Sequence, residues 1–153
     1  MKTFHFLLIP VLILLIAAAC RPAPSPIAFG SDMCHDCKMT IVDPQHAAEL
    51  VTAKGKVMKF DAIECMIHHT AANPGAQYAF QLVMDYQQPE SWLNASESHF
   101  LICEQIPSPM GAFLSALNSA AAAEAIQKAK GGQVHGWDSI QEKIGAHAFS
   151  HRR

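Results

Sequence analysis

The chain lacks the signatures of most function classes. Its formal net charge is -2, and no basic patch with interleaved aromatics occurs, which excludes nucleic acid as a partner. There is no G-X-S-X-G, no H-E-X-X-H and no phosphate-cradling glycine loop, which removes the common hydrolase, metalloprotease and nucleotide-binding templates. Nothing in the sequence points to an enzyme. A zinc ribbon needs two closely spaced cysteine pairs, and only one is present. The single long apolar run, Phe4 to Ala19, falls short of the roughly 20 residues a spanning helix requires.

That run has the anatomy of a leader. Lys2 supplies a positive start, and Ala17-Ala18-Ala19-Cys20 places small residues before a cysteine, like a bacterial lipobox. A strict lipobox has Leu where Ala17 stands. The expectation is a lipoprotein signal peptide over 1–19 and lipidation at Cys20, leaving a protein anchored to the membrane and facing the periplasm. An ordinary secretory signal cleaved near Ala19 is the alternative. The proline-rich segment Arg21-Pro22-Ala23-Pro24-Ser25-Pro26 then predicts a stiff tether over 20–30.

Cys34-His35-Asp36-Cys37-Lys38-Met39 is the richest stretch. In an exported protein, cysteines in even number normally form disulfides, but a thioether beside two thiols points to a soft metal. Thiolate and thioether donors prefer Cu(I), and Zn(II) rarely takes methionine. Residues two apart on an extended segment share a side, so Cys37 and Met39 are the primary candidate ligands. Met110, on a Pro-Met-Gly turn, is the third. Cys34 and His35 are secondary candidates, as are Cys65 and Met66. Cys65 shares a helix face with His68 and His69, although core packing is the commoner fate of such residues. Cys103 reads as a buried inert thiol. A thiol-disulfide pair at Cys34 and Cys37 competes with the metal, as does a structural lipoprotein without metal; nothing strand-like precedes Cys34 to support a redox fold.

The mature chain alternates between strand and helix signals. Strands are expected at Met39–Val42, His46–Thr52, Val57–Phe60, Tyr78–Tyr86, Trp92–Asn94, His99–Glu104, Phe113–Leu117 and Gln133–Trp137. Helices are expected over 62–72, capped by Asp61 with Glu64 closing the box, from Asn118 or Ser119 to Lys130, and from Asp138 to Ile144. Gly55 to Glu64 matches Gly132 to Gln141, with glycine, valine, aromatic, aspartate and isoleucine recurring in register. The expected fold class is α+β: two related β-β-α-like halves, 31–76 and 77–144, followed by a flexible tail over 145–153. Met39 and Met110 would be counterparts near their junction.

The leader, Cys34-X-X-Cys37-X-Met39, Phe60-Asp61-Ala62-Ile63-Glu64-Cys65-Met66, Pro109-Met110-Gly111-Ala112 and Gly131-Gly132-Gln133-Val134 together resemble the NosL family. These are copper-binding lipoproteins associated with nitrous oxide reductase. The resemblance implies two similar ββαβ-type units akin to the organomercurial lyase fold. It implies a Cu(I) metallochaperone that delivers copper to that reductase's copper-sulfide centre. It also implies that Cys37 and Met39 are the Cys-X-Met ligands and Met110 the methionine of the Met-Gly turn. Lys38 stands where many relatives have glycine. A homodimer is a candidate assembly.

Overall fold

The computed structural model describes residues 21–148; Cys20 and the leader lie outside them. The α+β expectation holds: the described residues form two small antiparallel sheets and three α-helices. The first sheet has the order β2-β1-β3-β4, formed by β1 Ala48–Thr52, β2 Val57–Phe60, β3 Tyr78–Met84 and β4 Trp92–Asn94. The second has the order β6-β5-β7, formed by β5 His99–Ile102, β6 Leu114–Leu117 and β7 Gln133–His135. Helix α1, Ile63–Ala72, follows β2; α2, Ala120–Lys130, follows β6; α3, Trp137–Ala148, follows β7. A parallel bridge between Asp85 and Ala116 joins the sheets. One hydrophobic cluster runs from Ile41, Leu50 and Phe60 through α1 to Phe100, Leu114 and Ile140. Among the described residues no helix is long and apolar enough to cross a membrane.

Local chemistry explains most elements. In β2, Met58 and Phe60 are buried while Val57 and Lys59 are half-buried, the period of two that a sheet edge requires. Ser119 accepts the Ala122 N–H at 3.2 Å and caps α2, as expected. Gly131, with φ 79°, ends it.

Three expectations fail for identifiable reasons. Met39–Val42 forms no strand; its backbone folds back on Cys34 and contributes only the single Met33–Thr40 bridge. Asp61 does not cap α1. The cap position is Ala62, without a side-chain bond, while Asp61 turns inward and Glu64 bonds Ser108 instead of closing a box. Helix α3 begins at Trp137, with Asp138 in its first turn, and passes the expected stop at Ile144 to reach Ala148. Although β3 and β4 follow residue 76, they complete the first sheet.

The sequence repeat corresponds to two strand-helix units. Both β2 and β7 are edge strands beside a middle strand, β1 or β5, and the helices that follow them, α1 and α3, pack on each other. Phe60 and Trp137, and Ile63 and Ile140, are buried in the shared core. The copies diverge at the aspartate: Asp61 is buried, Asp138 exposed.

Candidate metal centre

The Cys34–Met39 segment folds as a tight knuckle. The Cys34 N–H donates to the Met39 carbonyl at 2.8 Å, and the Lys38 N–H donates to the Cys34 carbonyl at 3.1 Å. Closing so small a loop puts Lys38 in the left-handed region, φ 64°. The His35 N–H donates to the Lys59 carbonyl at 2.7 Å, which pins the knuckle to β2. From there the chain turns into α1, whose third residue is Cys65.

The knuckle and the start of α1 bring three thiols together. The sulfurs of Cys34, Cys37 and Cys65 all lie within 4.8 Å of one another. Cys34 and Cys65 are buried, and Cys37 is half-buried and forms the open side. All three are free thiols. Metal–sulfur bonds of about 2.3 Å span sulfur pairs up to about 4.6 Å apart, so one ion fits with small adjustments. Among the described residues no other histidine, cysteine or carboxylate joins the group. Three soft donors without a fourth suit a low-coordinate soft ion better than tetrahedral Zn(II).

The electrostatics favour a single thiolate among the three cysteines. Cys34 is pulled down to about 5, first by the Cys65 thiol that donates to it, against the cost of burial, and then by the backbone N–H groups of Asp61, Cys37 and Asp36. The bond to Cys34 pushes Cys65 up, since it supplies the shared proton, and burial adds to this. Burial also raises Cys37, although the Met39 N–H donates to it. Two more thiolates would repel the first unless a cation replaced their protons.

Around the cluster stand two neutral imidazoles. The His35 and His69 rings are 5.1 Å apart and edge-to-face, and His35 also meets Phe60. Burial lowers both, and the charges of Lys38 and Lys56 lower them further.

Met39 and Met110 are at the surface, with relative exposures of 58% and 40%, and Met66 is fully buried in the hydrophobic core. The Met110 turn is tied to α1: the Ser108 hydroxyl donates to the Glu64 carboxylate beside Cys65. Cys103 is buried, its sulfur 3.5 Å from the Lys130 carbonyl oxygen. Sequence spacing ranked Cys34 and Cys65 behind the methionines. The signal for Cys65 was its place just after the β2 turn, where a helix start meets the knuckle.

The NosL family model matches residues 26–144. The chain belongs to the NosL family. Among solved structures it is similar to the crystal structure of the copper chaperone NosL from Shewanella denitrificans, with a TM-score of 0.65 and 22% identity. That match covers 76% of this chain and 96% of the other. No curated protein sequence matches the chain.

Proposed function

We propose that this NosL-family chain is a Cu(I) carrier, lipidated at Cys20 and facing the periplasm, that delivers copper to nitrous oxide reductase for its copper-sulfide centre. The observation that carries the metal reading is the three-thiol cluster, with sulfurs within 4.8 Å. Cys37 is the receiving ligand, half-buried on the open side. Met39 and Met110 are the exposed thioethers through which copper enters and leaves, and Cys34 and Cys65 are the buried thiols that retain it. His35 and Met66 are supporting residues, the first at the rim and the second packed behind Cys65.

A carrier must bind tightly and release quickly. The arrangement separates the two demands: buried thiols give affinity, and surface thioethers give an incoming ligand access before the thiols let go. Loading displaces protons from Cys37 and Cys65, so affinity falls in acid. The rival thiol-disulfide chemistry needs an accessible nucleophilic thiolate, whereas the thiolate here, Cys34, is 1% exposed.

The test is anaerobic Cu(I) titration of the reduced chain against a competing chromophoric chelator. One copper per chain or per dimer is expected. Cys37→Ser should weaken affinity strongly, and Met39→Ala or Met110→Ala should slow transfer. Full affinity after the loss of all three thiols would overturn the assignment.

A further inference from the structure

The segment expected to be a stiff tether is fastened to the protein along its own length. The Ser25 N–H donates to Glu49 Oε1 at 3.0 Å, and Lys59 Nζ donates to the Pro26 carbonyl at 2.6 Å and pairs with Asp32 at 2.7 Å. Ile27 is buried in the core cluster. Because Leu50 faces the core, Glu49 faces the opposite side of the first sheet, and the strap therefore crosses that outer face.

The strap ends at the β1–β2 hairpin. Pro22 Cα lies 4.0 Å from where a side chain on Gly55 would begin. The hairpin is rigid: Gly55 has φ +80°, its N–H donates to the Thr52 carbonyl at 2.9 Å, and the Lys56 N–H donates to Thr52 Oγ1 at 3.0 Å. Arg21, Lys54 and Lys56 are all exposed there. No acidic residue occurs in 21–25 or 52–57. Lys56 is also close enough to the metal-site rim for its charge to act on His35 and His69.

We infer that the basic hairpin tip, Lys54-Gly55-Lys56 with Arg21, rests on anionic phospholipid headgroups. This rests on the lipid-anchor reading, because Cys20 is two residues from Pro22 and so within about 8 Å of it. The acyl chains supply attachment, and the tip fixes orientation. Without the strap, an anchored domain would sweep freely around a flexible leash. With it, the hairpin meets the headgroups wherever Cys20 is inserted. Each cation near an anionic surface multiplies partitioning by about five, so three together give about 100-fold.

The test uses the full lipidated chain in vesicles of phosphatidylcholine alone, or with one part phosphatidylglycerol to two parts phosphatidylcholine. Backbone hydrogen exchange is read at residues 53–56, with α2 as the internal control. Slowed exchange at the tip in anionic vesicles alone is expected. High salt should reverse it, as should the Lys54→Glu/Lys56→Glu double variant, whose sites are exposed and whose folding is checked by circular dichroism. Equal exchange in both vesicles overturns the proposal, as does protection that needs an added membrane protein. Mass spectrometry of Cys20 tests the anchor separately. If Cys20 carries no lipid, the anchor reading fails. The tip proposal then stands or falls on whether the unlipidated chain floats with anionic vesicles about 100-fold better than with neutral ones.

Discussion

Glu64, in the first turn of α1, accepts a hydrogen bond from the hydroxyl of Ser108, 44 residues further along the chain. Cys65 is its neighbour on one side of that bond, and Pro109 and Met110 follow on the other. A buried carboxylate thus holds the loop that presents an exposed thioether against the helix that carries a buried thiol. Burial pushes Glu64 above the ordinary carboxylate range, and the Ser108 and Ala112 donors offset part of that cost.

Ser108→Ala leaves a buried acceptor short of its donor, at a cost of about 1–3 kcal/mol. Urea unfolding of the metal-free protein should show that loss. Amide exchange over 110–112 should quicken in the same variant. An unchanged loop would mean that the Met110 turn is held by its own proline and glycine.

The three thiols set a pH dependence on the stability of the metal-free protein. Cys34 is held at about 5 by its donors, below the roughly 8.5 of an ordinary cysteine. Ultraviolet absorbance should therefore report one thiolate per chain at neutral pH, lost in Cys34→Ser. A depressed folded value adds stability above the unfolded pKa and loses it as pH falls toward 5. Cys65 and Cys37 are raised and have the opposite sign: beyond the ordinary thiol range the unfolded chain sheds protons that the folded chain keeps, and stability drops. Denaturation of the metal-free protein should thus show stability rising from about pH 5 to about 8.5 and falling above. Cys34→Ser should flatten the acid limb.

The fold was legible where local chemistry and tertiary packing agree. Alternation marked β2, Ser119 marked the start of α2, and the glycine-to-isoleucine repeat marked β2–α1 and β7–α3 as equivalent units. The site was less legible because its construction overrides local rules. Asp61 and Glu64 have the spacing of a capping box, yet burial beside the thiols redirects both. Met39–Val42 has strand composition, yet its backbone bonds go to Cys34 in the knuckle and to Gly30 and Asp32 before it. Cys65 looked like helix core and is buried like core, and only the turn between Phe60 and α1 brings its sulfur to Cys34. Spacing along the chain gives no view of such a contact.

Lys38 provides a third test. Its φ of 64° costs a residue with a side chain about 1–2 kcal/mol, and glycine, which the resemblance places here in many relatives, avoids that cost. Against this, glycine loses about 0.5–1 kcal/mol more backbone entropy on folding. The exposed bond from Lys38 Nζ to the His35 carbonyl adds little. Lys38→Gly should therefore raise the melting temperature slightly, by the equivalent of about 0.5–1 kcal/mol. Lys38→Val, branched at Cβ, should lower it. A melting temperature that fell with glycine would mean that the Lys38 side chain holds the knuckle.

The two glycines of the repeat separate conformational from steric demand. Both have positive φ, 80° at Gly55 and 101° at Gly132, so alanine is strained at either. At Gly55 a Cβ meets nothing nearer than Pro22 at 4.0 Å, and Gly55→Ala should cost only the left-handed penalty of about 1–2 kcal/mol. At Gly132 a Cβ would lie 2.3 Å from the Ile102 carbonyl oxygen and 3.1 Å from Cys103. Neither is the free end of a side chain, so β5 and β7 must separate. Gly132→Ala should cost more than about 4 kcal/mol, in the range kept for backbone strain combined with overpacking. Chemical denaturation of both variants measures the difference directly. Equal costs would mean that β7 shifts outward without loss, and that its register with β5 is not what closes the second sheet.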